Sequence, residues 1–238
     1  MDESAPSLRY AAAKQPQVAT AKGERTRELI LETALRLFYE RGWRKTTMRG
    51  IAAEAGVSLG NAYYYFHSKE SLIQAIYAQS HEEHMAACQG VLATEISFGA
   101  RLQGVMKAKL DTLARYHSFA GVLFATAADP RSPLNPWSEA SAAVRRQSIA
   151  LFAEVVAGSD ARIPKWLRPE LPGLLWTYHM GIILFWVHDR SPDRRASYQL
   201  ARRTVELINQ LVALARVPLL RPLVQSVLAL LGEIRAAA

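Results

Sequence analysis

Cysteine occurs once in this sequence, at Cys88, so no disulfide can form within the chain, and a reducing, cytoplasmic setting fits that usage. Long apolar runs are missing as well. The longest, Gly173 to Val187, falls short of the roughly 20 apolar residues of a membrane helix and contains His179, so it predicts a buried helix rather than a span. The first residues hold no apolar signal core; Leu8 and Tyr10 stand alone among Ala, Pro, Gln and Lys. There is no P-loop or dinucleotide-type glycine loop, no dense cluster of metal ligands, and no alternation of strand and helix periods. These absences argue against an α/β enzyme, a resident cofactor and a membrane chain. No internal repeat and no useful coiled-coil heptad are present either.

What remains is a chain of 238 residues, 50% hydrophobic, with a formal net charge of +8. That length can bury a sizeable core in one or two domains. The charge favours a polyanionic partner without identifying it. The informative stretch runs from Thr46 to Lys69, TTMRGIAAEAGVSLGNAYYYFHSK. Thr46 and Thr47 are both N-cap candidates. Met48, Ile51, Ala52 and Ala55 recur at helical spacing, and the alanines let another helix cross closely. Gly56 is the stop, because glycine accepts the left-handed conformation that ends a helix. Val57 plugs the turn into the core. Ser58 is the next N-cap, opening a short helix through Tyr63. Ser68 caps the one after, with Glu70 in its first turn, where the helix dipole favours negative charge. Two short helices about a glycine turn form a helix-turn-helix, whose second helix enters the DNA major groove.

At about 100° per residue, Tyr63, Tyr64 and Tyr65 point three ways, so at least one faces outward, where its hydroxyl can bond a phosphate oxygen. Gly60 permits close approach to the backbone. The Asn61 amide can pair with an adenine edge, which makes it the leading base-reading candidate. Arg41, Arg44, Lys45 and Arg49 cluster beside the threonines, where a solvated face and phosphate contact are about equally good readings. Upstream, Glu24 to Arg41 is amphipathic, with Ile30, Ala34, Leu37 and Phe38 on one face. Gly42 ends that helix and Trp43 folds back. Met1 to Gly23 is polar and proline-broken, and reads as a disordered arm.

The segment from about Arg25 to Ile76 resembles the DNA-binding domain of the tetracycline-repressor (TetR) family of bacterial regulators. The matching pieces are the amphipathic first helix, Thr46-Thr47, Ile51-Ala52 with Ala55-Gly56-Val57-Ser58, Gly60, Tyr63-x-Tyr65-Phe66, and Ser68-Lys69-Glu70 with Leu72. They cover roughly the first third of the chain. Leu59 stands where a polar or basic residue is frequent, and His67 where proline is frequent. The resemblance implies an all-α fold: a helix-turn-helix domain over 24–70 after an arm over 1–23, then a helical ligand-binding and dimerisation domain over 71–238. The expected DNA-facing set is Thr46, Thr47, Arg49, Ser58, Leu59, Gly60, Asn61, Tyr63, Tyr64, His67 and Lys69. By resemblance Tyr63 and Tyr64 lie on the DNA side, Tyr65 and Phe66 close the small domain, and Lys69 meets a phosphate.

Beyond it, Ser68 to about Leu92 predicts a fourth helix. Its polar end carries His81 and His84 on one face. Structural zinc needs four ligands, so a solvated face is the expectation and no metal is assigned. Phe98 to Asp129 reads as two helices broken near Tyr116-His117-Ser118. Asp129 to Trp137 is a proline loop, with a helix restarting near Asn135-Pro136 and ending near Gly158. A second loop covers Ile163 to Pro172. Leu171 to His188 is apolar nearly all round and should be buried on most sides. An amphipathic helix follows over Pro192 to Arg216, and a last one over Pro218 to Arg235. The resemblance implies that the helices at about 171–188 and 192–216 pair two copies into a homodimer. It also implies an effector cavity, apolar with a few polar groups, for which Met106, His117, Phe124, Trp137, Trp176, Tyr178 and His179 are the candidates.

The expected function is a sequence-specific DNA-binding transcriptional regulator, a repressor released from a palindromic operator on double-stranded DNA by a small apolar effector. One alternative is a ligand-independent DNA-binding protein whose second domain only dimerises. The other is a helical hydrolase using Ser58, since Gly56-Val57-Ser58-Leu59-Gly60 fits G-x-S-x-G. That chemistry needs a strand before the serine, and IAAEA reads as helix.

Overall fold

A computed structural model of the chain describes residues 20–132, 134–217, 222, 226 and 229. Most of the expected arm and nearly all of the helix expected over Pro218 to Arg235 fall outside these. The described residues are all-α, with no strand among them. They divide into two compact units, parted between Ile76 and Tyr77.

The first unit opens on α1, Ala21–Arg41. It starts three residues before the expected Glu24, because Thr20 Oγ1 accepts the Gly23 amide at 3.2 Å and supplies the N-cap. Gly42, at φ 77°, ends it. Next come α2, Met48–Glu54, and α3, Leu59–Tyr65, joined through Gly56 at φ 66°. The glycine meets the left-handed requirement of that turn without a Cβ penalty. Then α4, Lys69–Thr94, begins. Ile30, Leu37, Phe38, Ile51, Leu72, Ile73 and Ile76 make the unit's core, all at or below 1% exposure.

The second unit holds the rest of α4, then α5, Phe98–Leu113, a 3-10 turn over Ala114–Phe119, and α6, Ala120–Ala128. It continues with α7, Ala142–Ala157, α8, Leu171–His188, and α9, Arg195–Leu214. Here α7 packs on α8 and α5 on α9, while α8 also meets α6 and α9. The 3-10 turn is the break expected near Tyr116. By contrast, α7 starts well after Asn135-Pro136. Asn135 Oδ1 accepts the Trp137 amide, and the Arg145 guanidinium donates to the carbonyls of Pro136 and Ser138, which holds that segment in turns. A kink also precedes α9, because Asp193 and Arg194 take positive φ of 52° and 58°.

The expectation for α8 holds for all but one face. Most of its sides are buried or half-buried, but one stripe stays open: Thr177, Gly181, Leu184, Phe185 and His188 are all exposed, Leu184 and Phe185 among its apolar side chains. On α9, Leu207, Leu211 and Leu214 are exposed too, at 49% or more. Apolar residues all round a helix predict burial only if every face has a neighbour. No helix among the described residues is long and apolar enough to cross a membrane.

The buried stripe of α5 includes two cations, Arg101 and Lys109. Arg101 is 5% exposed and donates to four main-chain carbonyls. Nη1 reaches Leu92 O and Glu95 O at 2.8 and 2.7 Å, Nη2 reaches Glu154 O at 2.9 Å, and Nε reaches Val155 O at 3.2 Å. These acceptors lie at the C-terminal ends of α4 and α7, where helical carbonyls run short of intrahelical donors, although Glu154 O also accepts the Gly158 amide at 3.0 Å. The positive charge also complements both dipoles.

Candidate functional site

The helix-turn-helix is assembled by side-chain caps. Thr47 Oγ1 accepts the Gly50 amide at 3.1 Å and starts α2; Ser58 Oγ accepts the Asn61 amide at 3.1 Å and starts α3. The Val57 amide closes the turn on Ala52 O at 3.0 Å. Ala52 and Ala62, 2% and 0% exposed, let α2 and α3 approach closely. Since Ser58 follows a helix and spends its hydroxyl on a cap, it is no nucleophile elbow, and the hydrolase alternative falls.

Of the two threonines only Thr47 is a cap. Thr46 is 2% exposed and its hydroxyl bonds Leu37 O and Gly42 O at 3.1 and 2.9 Å. That is a correction to the DNA-facing set: Thr46 ties the end of α1 to the start of α2 and faces inward. The remaining expected residues vary in exposure. Tyr63 and Tyr64 stand outward at 45% and 56%, and Arg49, Ser58, Gly60 and His67 are exposed. Asn61 and Leu59 are half-buried. Tyr65 turns away and meets Tyr64 edge-on at 5.1 Å, while Phe66 is buried under Arg27, whose guanidinium lies 5.2 Å above the ring. Lys69 already has partners: Nζ donates to Trp43 O at 2.9 Å and sits 4.2 Å over the Trp43 indole. Its ammonium is thereby anchored, with donor capacity to spare.

The basic cluster splits. Arg36 and Arg41 bind Glu54 at 2.9 and 3.5 Å, on the exposed seam of α1 and α2. The Arg36 guanidinium beside Glu54 holds that carboxyl below its ordinary range. Arg44, Lys45 and Arg49 are exposed and form no ion pair among the described residues.

In the second unit six of the seven effector candidates lie on α8 or against it. Trp176 is buried and meets the exposed Trp137 edge-on at 5.6 Å. Ten residues on, about 15 Å along a helix, Trp186 takes His117 edge-on at 4.7 Å, and His117 Nε2 donates to Trp186 O at 3.0 Å. Phe124 packs edge-on against His188 at 5.9 Å. Tyr178 points to α9, its hydroxyl 2.6 Å from Thr204 Oγ1 and 3.3 Å from Ala201 O. Met106 is wholly buried on α5. Met106 apart, these side chains mark different ends and faces of α8.

His179 belongs to a further group. It is 4% exposed, stacks on His84 at 5.7 Å and tilts against Phe152 at 5.6 Å. Neither of its ring nitrogens has a hydrogen-bond partner. His84 is also buried, which corrects the expected solvated face for His81 and His84. Its Nε2 donates to Val105 O at 3.1 Å, and burial pushes its pKa down to about 3. His81 is half-buried and bonds Gln147 at 3.0 Å. No group of metal-ligating side chains suited to an ion occurs among the described residues. Lys109, on the same buried stripe of α5 as Met106, is 9% exposed. Sequence reading passed over it and Arg101. The signal was there: both fall at helical spacing among Phe98, Leu102, Val105, Met106 and Leu110.

Comparison with known proteins supports both units. Residues 30–76 match the family model described as bacterial regulatory proteins, tetR family. Residues 101–230, more than half of the chain, match the tetracyclin repressor-like C-terminal domain. The chain is 43% identical over 63 residues to the HTH-type transcriptional regulator TtgR of Pseudomonas putida, covering 26% of this chain and 30% of TtgR. It is 31% identical over 102 residues to the HTH-type transcriptional repressor KstR2 of Mycobacterium tuberculosis, covering 43% and 48%. It therefore spans less than half the length of these curated relatives. A transcriptional regulator from Aquifex aeolicus shares the fold over 77% of this chain and 99% of its own, with TM-score 0.56 and 20% identity. A tetR-family regulatory protein from Rhodococcus does so over 79% and 96%, with TM-score 0.53 and 25% identity. The chain belongs to the TetR family of bacterial regulatory proteins.

Proposed function

We propose that this chain is a homodimeric repressor that binds a palindromic operator and leaves it when a small, largely apolar effector enters the second unit. Family membership makes it a DNA-binding transcriptional regulator and not an enzyme. The observation that carries the site-level reading is α3 itself. A helix this short, capped by Ser58 and backed by Ala62, turns Tyr63 and Tyr64 outward together with Gly60. Asn61 reads bases, the two tyrosines with Thr47, Arg49 and His67 grip phosphates, and Lys69 reaches the backbone from its anchored position. Leu59 contributes apolar contact only.

Repression is favoured by the name of the mycobacterial relative, an HTH-type transcriptional repressor. Dimerisation is favoured by the exposed leucines of α8 and α9. One α3 reads few base pairs, and two-fold pairing doubles the site. The arm over 1–23, the DNA-binding domain over 24–70 and the effector domain over 71–238 remain the proposed division of labour. Release works by population shift: the effector selects a conformer whose recognition helices no longer match the half-site spacing.

Selection of bound duplexes from a random pool at two salt concentrations tests this. The expected result is an enriched palindrome whose affinity falls as salt rises. Binding without enrichment would favour a non-specific architectural protein, and no binding at either salt would overturn the reading.

A further inference from the structure

His179 is a buried polar group that the fold leaves without partners, and Lys109 is a largely enclosed cation that it leaves without a counter-ion. Among the described residues the Lys109 ammonium has no ion pair or hydrogen bond, although the residue is only 9% exposed. His179, fully enclosed between His84 and Phe152, bonds nothing through either nitrogen. A neutral imidazole offers one donor and one acceptor, and leaving them unmade in a protein interior is costly. A buried ammonium without an anion is costlier still.

The groups that feel the Lys109 charge are His81, His84, His179 and Cys88. None can neutralise it. The histidines are bases, and burial pushes the Cys88 thiol up to about 12, so it stays protonated. The acids of this neighbourhood are Glu82, which acts on His81, and Glu154, which acts on Cys88; both are exposed to solvent. His84 spends its Nε2 proton on Val105 O, which leaves His179 as the imidazole with a free proton to offer. What this arrangement lacks is an anion that accepts from an ammonium and an imidazole N–H at once. A carboxylate does so, with two oxygens and several lone pairs. Phe152, against the His179 ring, is apolar, as is Met106, on the same buried stripe of α5 as Lys109.

We propose that Lys109 and His179, with His84 stacked behind, bind the carboxylate of an effector whose remainder is apolar. This rests on the reading of the second unit as an effector domain, and it gives that effector a chemical class: monocarboxylic acids with a hydrocarbon or aromatic body. Lys109 supplies the charge and His179 a second donor that fixes orientation. The alcohol of the same skeleton would leave the ammonium uncompensated.

The test uses the full chain and matched pairs: hexanoate, octanoate and decanoate against the corresponding alcohols, and phenylacetate and 1-naphthoate against theirs. Binding is read by thermal shift and by release of the selected operator duplex. At least one acid should shift the melting temperature of the wild type well beyond its alcohol. In Lys109→Met, which keeps length and apolar stem, that acid should weaken by roughly tenfold to a hundredfold, the range of a hydrogen bond to a charged group. Its alcohol should be unchanged.

A second readout needs no variant. Burial pulls the Lys109 pKa down to about 8, so acid binding to the wild type should weaken between pH 7 and pH 9.5 while alcohol binding stays level. The acids remain ionised and the buried histidines neutral across that range, so neither confuses the reading. Acids no better than alcohols, or an acid preference that survives Lys109→Met or high pH, would overturn the inference. Alcohols that release the operator while acids do not would sink it and leave the effector reading standing. Silence from every compound in both assays would overturn both.

Discussion

Replacing Arg101 by methionine should be among the most damaging single changes in the second unit. The methionine keeps much of the stem's volume and removes the guanidinium, so the loss is of bonds rather than packing. Four carbonyls then lose a charged donor: those of Leu92 and Glu95 at the end of α4, and of Glu154 and Val155 at the end of α7. The Val155 bond is fully buried and the other three are partly so. A buried acceptor left unmade costs about 1–3 kcal/mol, and a re-solvated one only about 0.5–1.5 kcal/mol. Because these bonds share one group they do not add, and about 3–5 kcal/mol in all is the expected loss. For a unit of this size that lowers the melting temperature by about 6–20 °C. Tryptophan fluorescence in urea is a suitable assay, because only Trp43 lies in the first unit and Trp137, Trp166, Trp176 and Trp186 lie in the second. Gly158 supplies a control. A Cβ there would stand 2.5 Å from Arg101 Nη2, so Gly158→Ala should destabilise the wild type and do so less in Arg101→Met. A loss below about 1 kcal/mol in Arg101→Met, or strict additivity of the two changes, would refute the claim that this guanidinium ties the two helix ends.

Tyr64→Ala should weaken operator binding about tenfold or more with no change in melting temperature, since an exposed tyrosine contributes little to the fold; equal affinity in a mobility-shift titration would remove it from the interface. Leu207→Glu combined with Leu211→Glu should yield a folded monomer that no longer retains the palindrome, checked by light scattering; an unchanged dimer would place the interface elsewhere. Asp189 gives a pH test. Burial pulls its carboxyl upward, but bonds from Ser197 and Ser191 overcome that and hold it down at about 2, against about 3.9 unfolded. Because the folded value is the lower one, its contribution, on the order of 2 kcal/mol, is whole above about pH 5 and lost as pH falls toward 2. Asp189→Asn should be less stable at neutral pH and flatten that acid limb; an unaltered slope in urea unfolding would contradict it.

The first unit was largely legible because its signals are local. A cap, a glycine at positive φ and small residues at a crossing each act within a turn of chain, and Thr47, Gly56, Ser58 and Ala62 all do so. Thr46 was misread because two adjacent threonines offer the same hydroxyl, and the carbonyls of Gly42 and of Leu37, nine residues back, decide which one turns inward. The second unit was legible in its helices but not in its polar interior. Arg101 and Lys109 fall at the period of an apolar stripe and were passed over, and their surroundings come from α4, α7 and α8, far away in sequence. The start of α7 was misplaced for a similar reason: proline at a first helical turn is a good rule, overridden here by Arg145 reaching back to Pro136 and Ser138. The exposed side of α8 shows the limit of composition, which records that a face is apolar and not whether anything covers it.

The lone cysteine turns out to be a clock. Cys88 is completely shielded within the second unit, and its thiol is held far from ionisation. A thiol-specific reagent can reach it only when α4 parts from its neighbours, and only the thiolate so released reacts. With no other sulfhydryl in the chain to blur the signal, the labelling rate measures how often that part of the interior opens. Any compound that settles among these helices should slow the rate in proportion to its occupancy, so the native sequence carries its own probe of fluctuation without an engineered tag.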